Sequence, residues 1–148
     1  MRSECVQTAS ESVVQLIALD VLIVDENLID LKYYAELFET EGLRVFRCDS
    51  YPAAINSILL GRTFDLAVVD QGSPAFEGRV VLRYLRPFTP CVVLTRNYRY
   101  DCYRKAIELG AAEYIEKPIS LAQIHRVVRE CLGILVDLRK ENQPEDAA

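Results

Sequence analysis

The chain has 148 residues, 51% of them hydrophobic and 26% charged, with a formal net charge of −5 at neutral pH. That length suits one domain with a self-sufficient core, and the acidic balance argues against direct nucleic-acid binding, which needs clustered positive charge. No apolar stretch reaches the ~18 residues that cross a bilayer. The start carries an acid at Glu4 and no secretory apolar region. Five cysteines without C-x-x-C spacing point to reduced thiols in a cytoplasmic protein.

Residues 1–18 stand outside the repeating pattern as an N-terminal extension, in which Ser10 to Ala18 either form a short helix or only lead in. From Leu19 strands and helices alternate. Strand one is expected over 19–24 and helix one over 28–41, with Leu28, Leu31, Tyr34, Ala35 and Phe38 at helical spacing and Gly42 as its stop. Strand two spans 44–48. Ser50 caps helix two, which runs over 51–60 to Gly61. Strand three, 65–70, precedes the breaker Gln71-Gly72-Ser73-Pro74. Helix three is expected over 77–86, strand four over 91–95, helix four over 99–109 and strand five over 113–115. Ser120 with Gln123 forms a capping box for helix five, which is expected to run to about 140. The domain is thus read as 19–140, followed by a polar, frayed tail over 141–148.

Strands one, three and four are apolar runs ended by polar residues, the pattern of parallel strands buried on both faces. Five βα units with short connections imply an α/β domain with a doubly wound parallel sheet. The flavodoxin-like (βα)5 order 2-1-3-4-5 fits this length and sets strands one and three side by side. Ligands of such sheets bind beyond the carboxyl ends of the strands. The residues expected there are Asp25, Glu26, Asp70, Thr95 and Lys117. Three carboxylates crowd together only around positive charge, because like charges raise one another's pKa. Lys117 and a hard divalent cation, Mg²⁺ or Mn²⁺, suit such an oxygen-rich cluster.

Four segments, VLIVDEN (21–27), DLAVVDQGSPAFEG (65–78), VVLT (92–95) and GAAEYIEKP (110–118), together resemble the receiver domain of two-component response regulators. The resemblance covers nearly all of 19–132. It implies that Asp70 accepts a phosphoryl group from a sensor histidine kinase or phosphotransfer protein. It implies that Asp25 and Glu26 hold the metal with Asp70 and the backbone carbonyl of Gly72, and that Thr95 and Lys117 contact the acyl phosphate. It makes Thr95 and Tyr114 a switch pair and Lys117–Pro118 a cis peptide bond. It implies a signalling module rather than an enzyme, acting on a downstream protein target or a fused output domain. The helix four–strand five–helix five face would be the output surface and a site for homodimerisation.

Some residues depart from that pattern. Glu26 stands where aspartate is commonest. Arg96 follows the threonine where a small residue is usual, and is expected either to lie over the phosphate or to point to solvent. The interval from Asp70 to Thr95 is short, so helix three or its following loop is expected to be truncated. Tyr98, Arg99, Tyr100, Tyr103 and Arg104 give helix four an interface-like composition. Leu135 and Leu138 extend the apolar stripe of helix five beyond the sheet and hint at a dimer or linker helix. His125, the sole histidine, is expected at the surface. The residues beyond 132 are too few for a further output domain, which leaves a stand-alone regulator or a piece of a larger protein. Two rival readings remain: a phosphorylation-independent receiver-like interaction module, and a flavin or nucleotide binder on the same fold. The latter needs a Gly/Ser/Thr-rich phosphate cradle after strand one, where this chain has Asp25-Glu26-Asn27.

Overall fold

The computed structural model describes residues 19–141 except residue 86, with side chains described only as far as residue 133. The expectation for Ser10 to Ala18 lies outside the described residues, as do the side chains of Leu135 and Leu138 and nearly all of the tail. The elements in chain order are β1 (Asp20–Val24), α1 (Leu28–Thr40), β2 (Arg44–Cys48), α2 (Tyr51–Leu59) and β3 (Leu66–Asp70), followed by α3 (Arg79–Tyr84), β4 (Cys91–Thr95), α4 (Tyr100–Glu108), β5 (Glu113–Glu116) and α5 (Leu121–Glu141).

The five strands form one sheet in the order β2-β1-β3-β4-β5, all neighbours parallel. Its apolar strands explain the two-sided core. Leu19, Val21, Ile23, Val68, Val92 and Leu94 face α1 and α5, meeting Leu31, Tyr34, Phe38, Ile124 and Val128. Leu22, Val24, Ala67, Val69 and Val93 face the other way, against Tyr51, Ala54, Val81, Cys102 and Ala106 from α2, α3 and α4. Each fully buried Val, Leu or Ile contributes roughly 1.5–3 kcal/mol relative to exposure.

Local signals place the helices. Ser50 Oγ accepts the Ala53 N–H at 3.2 Å at the start of α2. The Ser120 box closes reciprocally: Gln123 N–H donates to Ser120 Oγ at 3.1 Å, and Ser120 N–H donates to Gln123 Oε1 at 2.9 Å. Asn27 caps α1 by accepting the Asp30 N–H at 3.0 Å. Helix α3 has only 6 residues, in keeping with the short interval between Asp70 and Thr95. Helix α5 does not run straight: Gly133 leaves helical geometry at φ 40°, ψ −116°, which breaks the expected continuous helix there. Leu28 is also not a core residue. It is exposed, and Asp30 takes a buried place on α1 instead.

Candidate functional site

Register decides which residues meet. Val24 pairs with Val69, Asp70 with Leu94, and Thr95 with Glu116. The next residues, Asp25 and Lys117, therefore emerge beside Asp70 and Thr95 at the carboxyl edge of the sheet. A cleft of about 570 Å³ opens there, lined by Asp25, Glu26, Asp70, Gly72, Thr95 and Lys117 among others.

At its floor lies the Lys117 ammonium, whose side chain is 1% exposed. It donates to Asp25 Oδ2 at 2.7 Å and Asp30 Oδ2 at 3.0 Å, and sits 2.7 Å from Asp70 Oδ1. The Lys117–Pro118 bond that follows is cis, and so is Ser73–Pro74. Burial disfavours the Lys117 charge, but bonds to Asp25 and Asp70 outweigh it and raise its pKa. For Asp25 the balance goes the other way. Burial, with the Asp70 charge nearby, raises its carboxyl above the ordinary value despite Lys117. Asp25 Oδ1 accepts the Asn27 N–H, and Asp70 Oδ2 accepts the Gly72 N–H, each at 2.9 Å.

Asp30 was not among the residues read from the sequence as functional. Its one signal is an acid at a buried position of α1, four residues before Tyr34 on the same face. It takes Lys117 on one side and Arg96 on the other. Arg96 Nε donates to Asp30 Oδ2 at 3.0 Å and Nη2 donates to Asp30 Oδ1. Burial works against the Asp30 charge, yet the two cations hold its pKa below the ordinary value. Arg96 neither lies over Asp70 nor points freely to solvent; it reaches across the cleft to α1.

The loop after β3 is shaped by two close approaches. Gly72 has φ +88°, and a Cβ there would meet Tyr51 Oη at 2.7 Å. A Cβ on Gly78 would lie 2.2 Å from the Asp70 carbonyl oxygen. Tyr51 Oη itself donates to that carbonyl at 3.1 Å.

Thr95, 1% exposed, turns its hydroxyl to its own loop. It donates to the Asn97 carbonyl at 3.0 Å and accepts the Asn97 N–H at 2.9 Å. Tyr114 lies outside the cleft lining but close behind it. Its hydroxyl donates to Gln71 Oε1 and accepts the Arg99 N–H at 3.4 Å. Burial raises its phenol pKa against those of its contacts that lower it, the Arg99 amide and the Thr95 hydroxyl. Tyr98 and Tyr103 stack edge-on against its ring at 5.5 and 6.0 Å. His125 is exposed and pairs with Glu41 at 2.9 Å.

A divalent cation entering the cleft would meet oxygen donors from the residues that line it, Asp25, Glu26, Asp70 and Gly72 among them. Among the described residues no group of three acids, histidines or cysteines is placed to hold a metal ion by itself. A cleft with a few carboxylates open to water suits Mg²⁺, which keeps several waters and uses one or two carboxylates. The Asp25 carboxyl is raised chiefly by burial, with the Asp70 charge adding to it and Lys117 opposing it.

Comparison with known proteins bears on the family and the fold. The family profile described as the response regulator receiver domain matches residues 21–129. The sensor histidine kinase GacS of Pseudomonas protegens is 30% identical over 136 residues, which cover 86% of this chain and 14% of that protein. KdpE of Escherichia coli, a KDP operon transcriptional regulatory protein, is 26% identical over 115 residues, covering 76% of this chain and 51% of KdpE. The chain therefore spans about half, or much less, of the length of these curated relatives. A CheY-like response regulator receiver domain protein from Methanospirillum hungatei shares the fold at a TM-score of 0.71 and 23% identity, over 85% of this chain and 99% of that one. A BeF3-activated DrrB receiver domain does so at 0.69 and 24%, over 78% and 97%. The chain belongs to the response regulator receiver domain family.

Proposed function

We propose that this domain is a signalling switch that accepts a phosphoryl group on Asp70 in a Mg²⁺-dependent reaction, from a sensor histidine kinase or phosphotransfer protein. The observation that carries this reading is the Lys117 ammonium, buried and 2.7 Å from both Asp70 Oδ1 and Asp25 Oδ2. In the transfer a P–N bond to a histidine of the donor breaks as a P–O bond to an Asp70 carboxylate oxygen forms. The electron pair of the broken bond stays on the imidazole, which takes up a proton. Such transfers need positioning and neutralisation of charge more than covalent help. Lys117 supplies a fixed positive charge, and the Gly72 N–H orients Asp70 by holding Oδ2 at 2.9 Å. Asp25, Glu26, Asp70 and the Gly72 carbonyl would hold Mg²⁺, which when bound neutralises charge on the phosphoryl oxygens.

The switch reads out through Thr95 and Tyr114. To reach a phosphoryl oxygen the Thr95 hydroxyl leaves Asn97, which alters the space behind it where Tyr114 lies. The exposed rings of Tyr98, Tyr100 and Tyr103, with Arg104, put aromatic and cationic groups on the surface beside Tyr114. That composition fits a docking face for a downstream target, a fused output domain or a second copy, in the cytoplasm.

The test is intact-protein mass after incubation with acetyl phosphate and Mg²⁺. The wild type gains one phosphoryl group, and Asp70→Asn gains none. A label persisting on Asp70→Asn overturns the assignment. One observation favours a second reading, a receiver-like module that binds partners without phosphorylation. Asp30 already pairs both Lys117 and Arg96. That reading predicts no phosphoryl gain by the wild type under the same conditions.

A further inference from the structure

The cleft holds one carboxylate that phosphoryl transfer to Asp70 does not require. An ammonium has three donors, and those of Lys117 meet Asp25, Asp30 and Asp70 at 2.7, 3.0 and 2.7 Å. Arg96 presents Nε and Nη2 side-on to the two Asp30 oxygens. That is the forked geometry by which guanidinium groups recognise carboxylates and phosphates. Asp30 thus draws on two cations of the cleft that holds Asp70. The third, Arg99, is engaged by Asp101 and the Pro74 carbonyl.

Asp30 has little freedom to leave. Its side chain is 6% exposed, and its own N–H is fixed in the α1 cap by Asn27. Arg96 is the exposed member of the pair, with its side chain 63% exposed. A phosphoryl group on Asp70 replaces one carboxylate charge with up to about two, a net gain of about one negative charge in this space, together with oxygens that suit the same guanidinium and ammonium donors.

Resting on the reading of Asp70 as the phosphoacceptor, we propose that Asp30 is a positioning residue that stands in for the phosphoryl group. Its carboxylate holds Lys117 and Arg96 in the unmodified chain and competes with a phosphoryl group on Asp70 for both. The Asp30 charge therefore weakens the phosphorylated state, and it keeps Arg96 from covering the phosphate. The opposite role, an anchor that delivers Arg96 to the phosphoryl group, predicts the reverse effect of removing the charge.

The probe is beryllofluoride, a non-covalent phosphoryl analogue, titrated with Mg²⁺ present and followed by fluorine NMR of the bound species. Asp30→Asn binds it about fivefold more tightly than the wild type, the scale of one unit charge at this range in a partly solvated cleft. Adding Arg96→Gln to Asp30→Asn removes most of that gain. Asp30→Glu, which keeps the charge and changes the shape, binds within about twofold of wild type; a merely structural role for Asp30 would not separate these two variants. If Asp30→Asn does not fold, Asp30→Ser carries the same expectation. Equal or weaker binding by the neutral variant overturns the role of Asp30 and leaves the phosphoacceptor reading intact. Failure of the wild type to bind beryllofluoride with Mg²⁺ overturns that reading, and this inference with it.

Discussion

Removing the Lys117 ammonium would leave Asp25, Asp30 and Asp70 facing one another around an apolar stem. Deleting one member of a buried ion cluster typically costs 3–5 kcal/mol, because the remaining charges lose their partner. Lys117→Met is therefore expected to lower stability at pH 7 by roughly 3 kcal/mol in urea denaturation. The loss shrinks in acid, where the orphaned carboxylates protonate. A loss under about 1 kcal/mol at pH 7 would mean that the ammonium is not central to the cluster. Asp30 gives a second test at this scale. Its pKa is lowered in the folded state from the ordinary 3.8 by the hydrogen bonds and charges of Lys117 and Arg96, against the cost of burial. The unfolded chain therefore binds the proton more readily, and the ionised group adds stability that is full above 3.8 and lost as the pH falls through the lower folded value. Wild type should exceed Asp30→Asn in stability at pH 7, with the gap narrowing as the pH falls below 3.8. A gap that stays constant with pH would place the effect in packing rather than charge.

Among the elements, α3 and the loop before it pack closely on the backbone of Asp70, the proposed phosphoacceptor. Gly78 begins α3 against the backbone of Asp70, and its N–H donates to the Gln71 carbonyl at 2.9 Å. Gly78→Ala forces a Cβ to 2.2 Å from the Asp70 carbonyl oxygen and 3.0 Å from Val69 Cγ1. Either β3 or α3 must shift, a strain on the order of 1–3 kcal/mol. The expected result is a lower melting temperature together with slower phosphorylation from acetyl phosphate. Unchanged values of both would show that α3 yields without moving Asp70. No spacing rule reads this contact from the chain, because Gly78 also looks like an ordinary helix start. At the start of α4 and just before it, Tyr98, Tyr100 and Tyr103 are exposed, as their composition with Arg99 and Arg104 suggests. The edge-on packing of Tyr98 and Tyr103 with the Tyr114 ring depends on how α4 lies across β5.

For the whole molecule, charge links the cleft to global stability. The raised Asp25 pKa means that its ionised form is less favoured in the folded chain than in the unfolded one, so stability is lost as pH rises from 3.8 through the raised value. A cation that binds only the folded chain relieves this cost. At Mg²⁺ ten times its dissociation constant the gain is about 1.4 kcal/mol, or roughly 3–5 °C in melting temperature for a domain of this size. A melting temperature unchanged by millimolar Mg²⁺ would contradict the proposed metal set. The sequence by itself determined the five strands, their carboxyl-end acids and the sheet order, because buried parallel strands write themselves as apolar runs and short connections leave little choice of topology. It marked Asp25, Glu26, Asp70, Thr95 and Lys117 because each ends or follows such a run. Only the tertiary structure decided that Asp30 is buried beside them, that Leu28 is not, and that Arg96 spans to α1. Those outcomes depend on the rotation of α1 about its axis and on the reach of one long side chain across the cleft. Both are set by packing between elements distant in sequence, which periodicity along a single helix does not encode.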